Sequence, residues 1–234
     1  MNLIDQTINL IESNRISSTE VADALGKTGA LSGLKPVNPG LHISGKIHYV
    51  YCYDETNWPI HEQIQTAPEK CVLMVDAFNC AEKAIFGDLV GKYLMLYKRV
   101  SGVVVNGNLR DIPDLRKYNY PIWCTGYSPI GCYNRPAIPT KEVLNQAAEK
   151  AGKYNNGIMV CDDSGCTAIE SCLVNNDTYS KLEMIELQED IWGYCINTLK
   201  WSTYDTVCLK KYLINPEVLP EVLRDRVKSI PFRQ

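Results

Sequence analysis

The chain has 234 residues, of which 45% are hydrophobic and 22% charged, and its formal net charge is −3. This composition is typical of a soluble globular chain that can bury a sizeable core. The slight acidity argues against a direct nucleic-acid ligand, since phosphate neutralisation needs clustered Lys and Arg. No apolar run approaches the roughly 20 residues of a spanning helix. Residues 1–10 also lack the positive charge of a signal peptide, so we expect a cytoplasmic location and no membrane contact.

Ten cysteines are spread along the chain without a Cys-x-x-Cys pair, and no histidine follows His61. This spacing does not match the common zinc motifs. Several cysteines lie in apolar, strand-like runs such as residues 49–53 and 158–162. We therefore expect reduced, buried thiols that pack as small hydrophobic groups, with metal binding or redox chemistry as the alternative.

The N-terminal third predicts two helices and two strands. Isoleucines recur at helical spacing in residues 2–14. A serine and a glutamate with the spacing of a capping box begin a second helix at residues 17–25. A connector with Pro and Gly, residues 34–40, leads to a strand rich in β-branched and aromatic residues at 43–53. Residues 72–75 predict a short strand buried on both faces, and residues 76–79 predict a loop.

Residues 86–111, FGDLVGKYLMLYKRVSGVVVNGNLRD, are predicted to fold as loop, helix, strand and loop. A helix with one apolar stripe is indicated at residues 88–98 by the repeat of Leu89, Tyr93, Leu96 and Tyr97. The valine-rich residues 102–105 predict the next strand. Because the connections are short, we expect a parallel, right-handed crossover.

The ends of these elements predict a small-anion site with a divalent metal. Gly87 precedes the helix, whose first N–H groups lack an intrahelical partner and favour an anion. Arg110 offers a planar fork that can grip a carboxylate through two hydrogen bonds. Asp111 supplies a hard oxygen of the type that Mg²⁺ or Mn²⁺ prefers. In open α/β sheets, ligands gather beyond the carboxyl ends of the strands, where Arg110 and Asp111 are expected to lie.

The remaining residues predict a further strand at 120–124, a helix at 140–151 and two strands flanking a tight turn at 162–165. The sequence pattern changes in the last third of the chain. A capping box predicts a helix from Ser180 to about Leu199, and residues 201–209 predict one more strand or an irregular arm.

A short basic helix is predicted at residues 219–229. We expect an α/β domain over residues 1–172. Residues 173–234 are expected to form a C-terminal helix and arm that packs on the core or on a neighbouring subunit.

Three segments, FGDL, SGVVVNGNLRD and DLRKYNYPIWCTG, resemble the core signature of the RraA-like family. That family includes the regulator of ribonuclease activity A and the 4-hydroxy-4-methyl-2-oxoglutarate aldolases. The resemblance extends over about residues 18–170 through ADALGKTG, HISGKIHYV and CDDSGCTAI. It implies an α/β fold, a swivelling β/β/α sandwich, here with short N-terminal helices and a C-terminal helical extension. It also implies assembly as a homotrimer or homohexamer with sites near subunit boundaries.

The aldolase members imply a metal-dependent lyase acting on small 2-oxo acids. Main-chain amides would hold the pyruvyl group at Gly87, Asp88, Leu89 and Val90. Arg110 would bind the substrate oxygens, and Asp111 would carry the Mg²⁺ or Mn²⁺. The reaction would be retro-aldol cleavage of a 4-hydroxy-2-oxo acid or decarboxylation of oxaloacetate, both through a pyruvate enolate. Asp88 either joins Arg110 and Asp111 as a catalytic residue that orients a water or merely caps its helix.

The alternative is a non-catalytic protein-binding regulator that resembles the ribonuclease regulator. The chain also departs from the family pattern, and two of the departures carry structural expectations. Residues 77–80 replace a glycine cluster, which predicts a narrower pocket or a different substrate. The segment from Gly87 to Arg110 is one residue longer than the pattern, which predicts a bulge in the helix or in the turn at residues 101–102.

Overall fold

The structure is a computed structural model, and it describes residues 2–229. The chain divides into two compact units, one ending at Asn175 and one beginning at Asn176. Among the described residues, no helix combines the length and the apolar character that crossing a bilayer requires.

The first unit is built on a mixed sheet with nine strands among the described residues. The strands are β1 (Ala30–Leu31), β2 (Lys35–Pro36), β3 (Ile43–Tyr53), β4 (Val72–Phe78), β5 (Ala84–Phe86), β6 (Gly102–Leu109), β7 (Ile122–Tyr127), β8 (Ile158–Asp162) and β9 (Gly165–Ile169). Their order is β1-β9-β8-β3-β4-β6-β7-β2, and β5 pairs with β6. The central strands β3, β4, β6 and β7 are parallel, as the sequence predicts for the crossover.

Helices flank this sheet. They are α1 (Leu3–Asn14), α2 (Ser18–Ala24), α3 (Trp58–Gln63), α4 (Asp88–Lys92), α5 (Ile112–Lys117) and α6 (Lys141–Tyr154). The capping box predicted for the second helix is present, because Ser17 and Glu20 bond reciprocally at the start of α2. The strand predicted at residues 43–53 is β3, with the same bounds.

The core has two apolar layers, one on each face of the sheet. Alternate residues of β4 serve the two layers, since Val72 and Met74 pack on one face and Leu73 and Val75 on the other. Both faces of this strand are covered, which agrees with the continuous apolar run in the sequence.

The helix predicted at residues 88–98 is present, and its second half is a π-helical segment, Tyr93–Lys98. A π-helical turn contains more residues than an α-helical turn, so this segment is a bulge of the kind that accommodates an additional residue. The apolar stripe predicted for this helix is largely exposed: Leu89 is 81% exposed, Leu96 62% and Tyr97 74%. The core receives Leu94 and Val90 instead.

Asp76 was predicted to lie in a loop, and that prediction is wrong. The strand β4 continues to Phe78, and the side chain of Asp76 is buried. Its carboxylate accepts hydrogen bonds from Tyr49 Oη at 3.0 Å and Asn106 Nδ2 at 2.9 Å, and it pairs with Lys150 Nζ at 3.0 Å. These three donors lie on β3, β6 and α6, so the buried charge is fully compensated.

The second unit is helical in the described residues. It contains α7 (Asn176–Asn197), α8 (Lys211–Ile214) and α9 (Glu221–Ser229). The helix α7 begins before the predicted Ser180, and residues Tyr204–Cys208 form a π-helical turn, so the predicted strand is wrong. The short helix predicted at 219–229 is confirmed as α9. A small core of this unit forms around Leu187, Ile191, Cys195, Tyr212 and Leu219.

Candidate functional site

Two parallel strand ends bring the predicted site residues together. The strand β4 pairs with the first part of β6, and β5 pairs with the end of β6. In this second pairing Phe86 lies opposite Leu109. The backbone N–H of Arg110 donates to the carbonyl of Phe86 at 3.1 Å. Gly87 and Arg110 therefore follow adjacent strands and lie side by side at the carboxyl edge of the sheet, as expected for a ligand site in an α/β fold.

Gly87 is in close contact with the side chain of Asp111. A Cβ added at Gly87 would lie 2.1 Å from Asp111 Oδ2 and 2.9 Å from Arg110 Cγ. Its φ of −141° is available to any residue, so the close approach rather than the backbone conformation requires glycine here. The N–H of Asp88 points at the same carboxylate, with a distance of 3.3 Å to Oδ2.

Asp111 occupies the left-handed region, with φ 55° and ψ 36°. This conformation is uncommon for a residue with a side chain, although Asp tolerates it better than most. Asp111 precedes α5, yet its side chain does not cap that helix. The carboxylate instead faces the loop of Gly87 and stands 3.7 Å from Arg110 Nε, and both side chains are about half exposed.

The guanidinium of Arg110 rests on Gly131. A Cβ at Gly131 would lie 2.5 Å from Arg110 Nη1, so only glycine leaves room for the guanidinium in this position. Beside it opens a cleft of ≈ 330 Å³ lined by residues 109–113 and 127–129. Gly131 was not predicted as a site residue, because an isolated glycine in a loop with several prolines carries no sequence signal of such a contact.

Asp88 forms an ion pair along the helix, with its Oδ2 2.6 Å from Lys92 Nζ. Lys92 also lies over the ring of Tyr118, at 4.8 Å from its centroid. The hydrogen bond to Asp88 raises the pKa of Lys92. The other carboxylate oxygen of Asp88, Oδ1, is buried and has no hydrogen-bond partner among the described residues. Asp88 lies in the first turn of α4, where the helix dipole stabilises a carboxylate, so its helix-stabilising role and its catalytic role both stay predictions.

The first turn of α4 follows Gly87 directly. The amides of Leu89 and Val90 belong to the first turn and have no intrahelical acceptor. The side chain of Val90 is buried in the core, whereas that of Leu89 points outward. Because Val90 anchors this turn to the core, the two N–H groups are held in place before any ligand arrives.

No group of three or more His, Cys, Asp or Glu side chains suited to a metal ion occurs in residues 2–229. A closed structural metal site is therefore absent from this part of the chain. Mg²⁺ is often bound through one or two carboxylates while it keeps several waters and contacts its substrate. The half-exposed carboxylate of Asp111 fits that open type of site.

The parallel strand ends define an α/β protein whose candidate site lies at the first turn of α4 and the Arg–Asp pair. The chain belongs to the RraA-like family, because the family model described as Aldolase/RraA matches residues 18–168. The resemblance found in the sequence is thereby confirmed, as is the fold class.

Individual relatives agree with this assignment. The chain is 32% identical over 149 residues to a Halalkalibacterium halodurans protein named "Putative 4-hydroxy-4-methyl-2-oxoglutarate aldolase", covering 56% of this chain and 70% of that one. It is 29% identical over 180 residues to protein DlpA of Legionella pneumophila, covering 72% of this chain but 27% of DlpA. The chain therefore spans about a quarter of that longer relative.

A solved structure supports the fold. Streptomyces coelicolor RraAS2, described as an unusual member of the RNase ES inhibitor RraA protein family, superposes with a TM-score of 0.58 at 22% identity. The superposition covers 78% of this chain and 94% of RraAS2.

Proposed function

We propose that this protein is a metal-dependent lyase acting on small 2-oxo acids. The observation that carries the proposal is the convergence of Gly87, Arg110 and Asp111 at the ends of two adjacent parallel strands. Arg110 and Asp111 line one cleft, and Gly87 is in close contact with both side chains. A cation, a carboxylate and the nearby amides suit a substrate with a carboxylate and a neighbouring keto oxygen. The names of aldolase relatives at about 32% identity support the same class of reaction.

The substrate would be either a 4-hydroxy-2-oxo acid or oxaloacetate. In both cases a bond to C3 breaks, and its electron pair moves toward the C2 carbonyl to give the enolate of pyruvate. Arg110 donates hydrogen bonds to the substrate oxygens, and the amides of Leu89 and Val90 hold the pyruvyl group. Each donor aimed at the developing negative charge contributes a few kcal/mol, on the order of 3. A proton then returns to C3 to complete pyruvate.

The retro-aldol direction also requires removal of the proton from the 4-hydroxyl group. Asp88 Oδ1 is a carboxylate oxygen without a partner among the described residues, so it can orient the water that accepts this proton. Lys92 holds the other oxygen of Asp88 at 2.6 Å and fixes the side chain. Decarboxylation does not need this step, because carbon dioxide leaves without losing a proton.

A divalent cation, Mg²⁺ or Mn²⁺, would be held by Asp111, partly through water. When bound, it would supply further positive charge to the enolate oxygen. The Gly87 loop positions Asp111, since the N–H of Asp88 contacts Oδ2.

We further propose that the protein assembles as a homotrimer or homohexamer. The exposed side chains of Leu89, Leu96 and Tyr97 form an apolar face next to the Gly87 loop. Apolar side chains that repeat along one helix face without a covering element in the same unit are typical of a surface buried in an assembly. The site would then lie near a subunit boundary.

The second candidate is a non-catalytic regulator that binds another protein. The same exposed apolar face favours it, because a partner protein can cover Leu96 and Tyr97 as well as a second copy can. In this case the site would have lost its chemistry while the fold remained.

Oxaloacetate decarboxylation with Mg²⁺ or Mn²⁺, and again with EDTA, tests the lyase. We expect turnover that EDTA removes and that Asp111→Asn abolishes while the circular dichroism spectrum is retained. Turnover that persists in Asp111→Asn would refute the assigned metal ligand. The absence of turnover of any 2-oxo acid at millimolar concentration would favour the regulator.

A further inference from the structure

The cleft beside Arg110 carries its charges on one part of its lining. It has a volume of ≈ 330 Å³, and among the described residues Arg110 is the one cation and Asp111 the one anion that line it. The volume lies at the lower end of the range of about 300–1,000 Å³ that is typical of small-molecule sites. The other lining residues are uncharged: Leu109, Ile112, Pro113, Tyr127, Ser128 and Pro129.

Tyr127 stands at a strand end next to the Arg–Asp pair. It is the last residue of β7 and lies opposite Leu109 of β6, which is also paired with Phe86 of β5. The N–H of Ser128 donates to the carbonyl of Leu109 at 3.0 Å, so the chain after Tyr127 stays beside Arg110. Tyr127 is 48% exposed, which leaves much of its ring free to contact a ligand.

Arg116 holds the ring of Tyr127 in place. The central carbon of its guanidinium lies 5.8 Å from the ring centroid, within the range of a cation–π contact. Arg116 Nε also donates to the carbonyl of Val37 at 3.3 Å, which keeps the guanidinium beside the ring. Arg116 does not line the cleft, so its charge is engaged outside it.

A second carboxylate on the substrate would find no partner in this cleft. When Arg110 binds the carboxylate of the pyruvyl end, the rest of the substrate faces the uncharged part of the lining. A carboxylate at C4 would then be desolvated with only Asp111 as a charged neighbour, which is costly. An alkyl or aryl group instead gains free energy on leaving water for the surface of Ile112, Pro113 and Tyr127.

We propose that the substrates are 4-hydroxy-2-oxo acids with an apolar alkyl or aryl group at C4, and that Tyr127 determines this specificity. The inference rests on the proposed function and narrows its substrate class. Oxaloacetate, which lacks such a group, is then an assay substrate rather than the preferred one.

The products follow from the proposed reaction. The bond between C3 and C4 breaks, and its electron pair forms the enolate of pyruvate. The 4-hydroxyl group loses its proton and becomes the carbonyl of an apolar aldehyde or ketone, while C3 takes up a proton. Tyr127 contacts the C4 substituent and takes no part in these proton transfers.

Binding is measured first, with ligands that cannot undergo the retro-aldol reaction. The ligand 2-oxo-4-phenylbutanoate carries an apolar group and 2-oxoglutarate a carboxylate, and both lack the 4-hydroxyl group. Calorimetric titration of the full chain in the presence of Mg²⁺ gives the Kd of each. We expect 2-oxo-4-phenylbutanoate to bind about tenfold more tightly. Equal binding, no binding or tighter binding of 2-oxoglutarate would overturn the proposal, the last by indicating a cation from Arg116 or from a neighbouring subunit.

Variants of Tyr127 identify the residue responsible. Tyr127→Ala should lower the ratio of the two Kd values about tenfold, and Tyr127→Lys, which adds a cation, should reverse the preference. Tyr133→Ala is the matched control, because Tyr133 is also 48% exposed and does not line the cleft. An unchanged ratio in a folded Tyr127→Ala protein would overturn the role of Tyr127. The result for the unaltered protein stands even if a variant does not fold.

Turnover separates this inference from the proposed function. Release of pyruvate with Mg²⁺, measured by NMR, is compared for 4-hydroxy-2-oxo-4-phenylbutanoate and 4-hydroxy-2-oxoglutarate. We expect kcat/KM to be about tenfold higher for the phenyl substrate. A preference for 4-hydroxy-2-oxoglutarate would overturn the inference and leave the lyase standing. Selective binding of 2-oxo-4-phenylbutanoate without any turnover would refute the lyase and leave the selectivity of the cleft standing.

Discussion

The carboxylate of Asp111 fills the space that a side chain at residue 87 would occupy, since a Cβ on Gly87 would stand 2.1 Å from Asp111 Oδ2. The glycine loop and the Arg–Asp pair are thus one packed unit, although 23 residues separate Gly87 from Arg110 in the sequence. A change to either part should displace the other.

The first prediction concerns Gly87→Ala. The added methyl must push Asp111 and Arg110 away, so we expect kcat/KM for oxaloacetate to fall about 100-fold, the cost of a misplacement of roughly 1 Å. The fold should remain, because both displaced side chains are half exposed. Gly152→Ala in α6 is the control, since no atom lies within 4 Å of its added Cβ. Full activity in Gly87→Ala would contradict the close packing.

The second prediction concerns Arg110→Lys. Lysine keeps the charge but loses the fork that makes two parallel hydrogen bonds to a carboxylate. We expect KM to rise by about 10-fold to 100-fold, the equivalent of roughly 1–3 kcal/mol, with little change in Tm. The same change at Arg99, which is exposed and pairs with Glu69, is the control. An unaltered KM would exclude a bidentate role for Arg110.

The third prediction concerns assembly. Leu96→Glu places a charge on the exposed apolar face of the helix that follows Gly87. We expect the mass measured by light scattering to fall toward that of the single chain, because burying an unpaired charge in an interface is costly. Ile138→Glu, at a residue that is 93% exposed and lies outside this face, should not alter the mass. If both variants keep the mass of the unaltered protein, this face does not form the contact between subunits.

The fourth prediction concerns pH and Asp162. Burial raises the pKa of this carboxyl, but hydrogen bonds from Ser18, Ser164 and Gly165 together outweigh it and lower the pKa below the ordinary value. The two bonds from Ser18 are 2.7 and 2.8 Å long and tie α2 to the end of β8. A lowered folded-state pKa gives stability that is present above the unfolded-state value and is lost as the pH falls through the folded-state value.

We therefore expect Asp162→Asn to lower the free energy of unfolding by about 2 kcal/mol at neutral pH, the contribution of hydrogen bonds to a charged group. The difference from the unaltered protein should shrink below about pH 4. Urea unfolding at several pH values measures both effects. The exposed neighbour Asp163 accepts one bond, from Gly40, and its change to Asn should have a smaller effect. A difference that stays constant from pH 7 to pH 3 would refute the ionic contribution.

Much of the fold follows from local sequence patterns. The strand β3 and the helix at residues 88–98 were predicted with their observed bounds, because β-branched density and helical spacing are local properties. The capping box of α2 was predicted for the same reason. The two-residue strands β1 and β2 were not predicted, because such short strands depend on partners far along the chain.

Spacing alone did not show which surface an apolar stripe covers. The stripe of Leu89, Leu96 and Tyr97 has helical periodicity, yet the core takes Leu94 and Val90. The π-helical segment from Tyr93 shifts the phase of the residues that follow it. Periodicity finds an apolar face but does not say whether that face meets its own core or another molecule.

The candidate site could be predicted where it depends on residue type and adjacency, as with Arg110 and Asp111. The residues that hold these side chains in place could not be predicted. Gly131 supports the guanidinium across a tertiary contact, and the thiols of Cys52 and Cys80, which belong to two separate segments, lie 3.8 Å apart. Such contacts have no sequence period, so only the folded chain reveals them.

The buried carboxylate of Asp76 also has a consequence for how the sheet assembles. Residues 72–75 are apolar on both faces of β4, so hydrophobic burial alone would tolerate a strand displaced by one position. Such a slip would turn Asp76 away from Tyr49, Asn106 and Lys150. An unpaired buried charge costs about 3–5 kcal/mol, so the misaligned sheet is penalised where its apolar residues would accept it. The carboxylate of Asp76 thus disfavours a misaligned sheet. The positions of the neighbouring strand ends, and of the cleft between them, depend on this alignment.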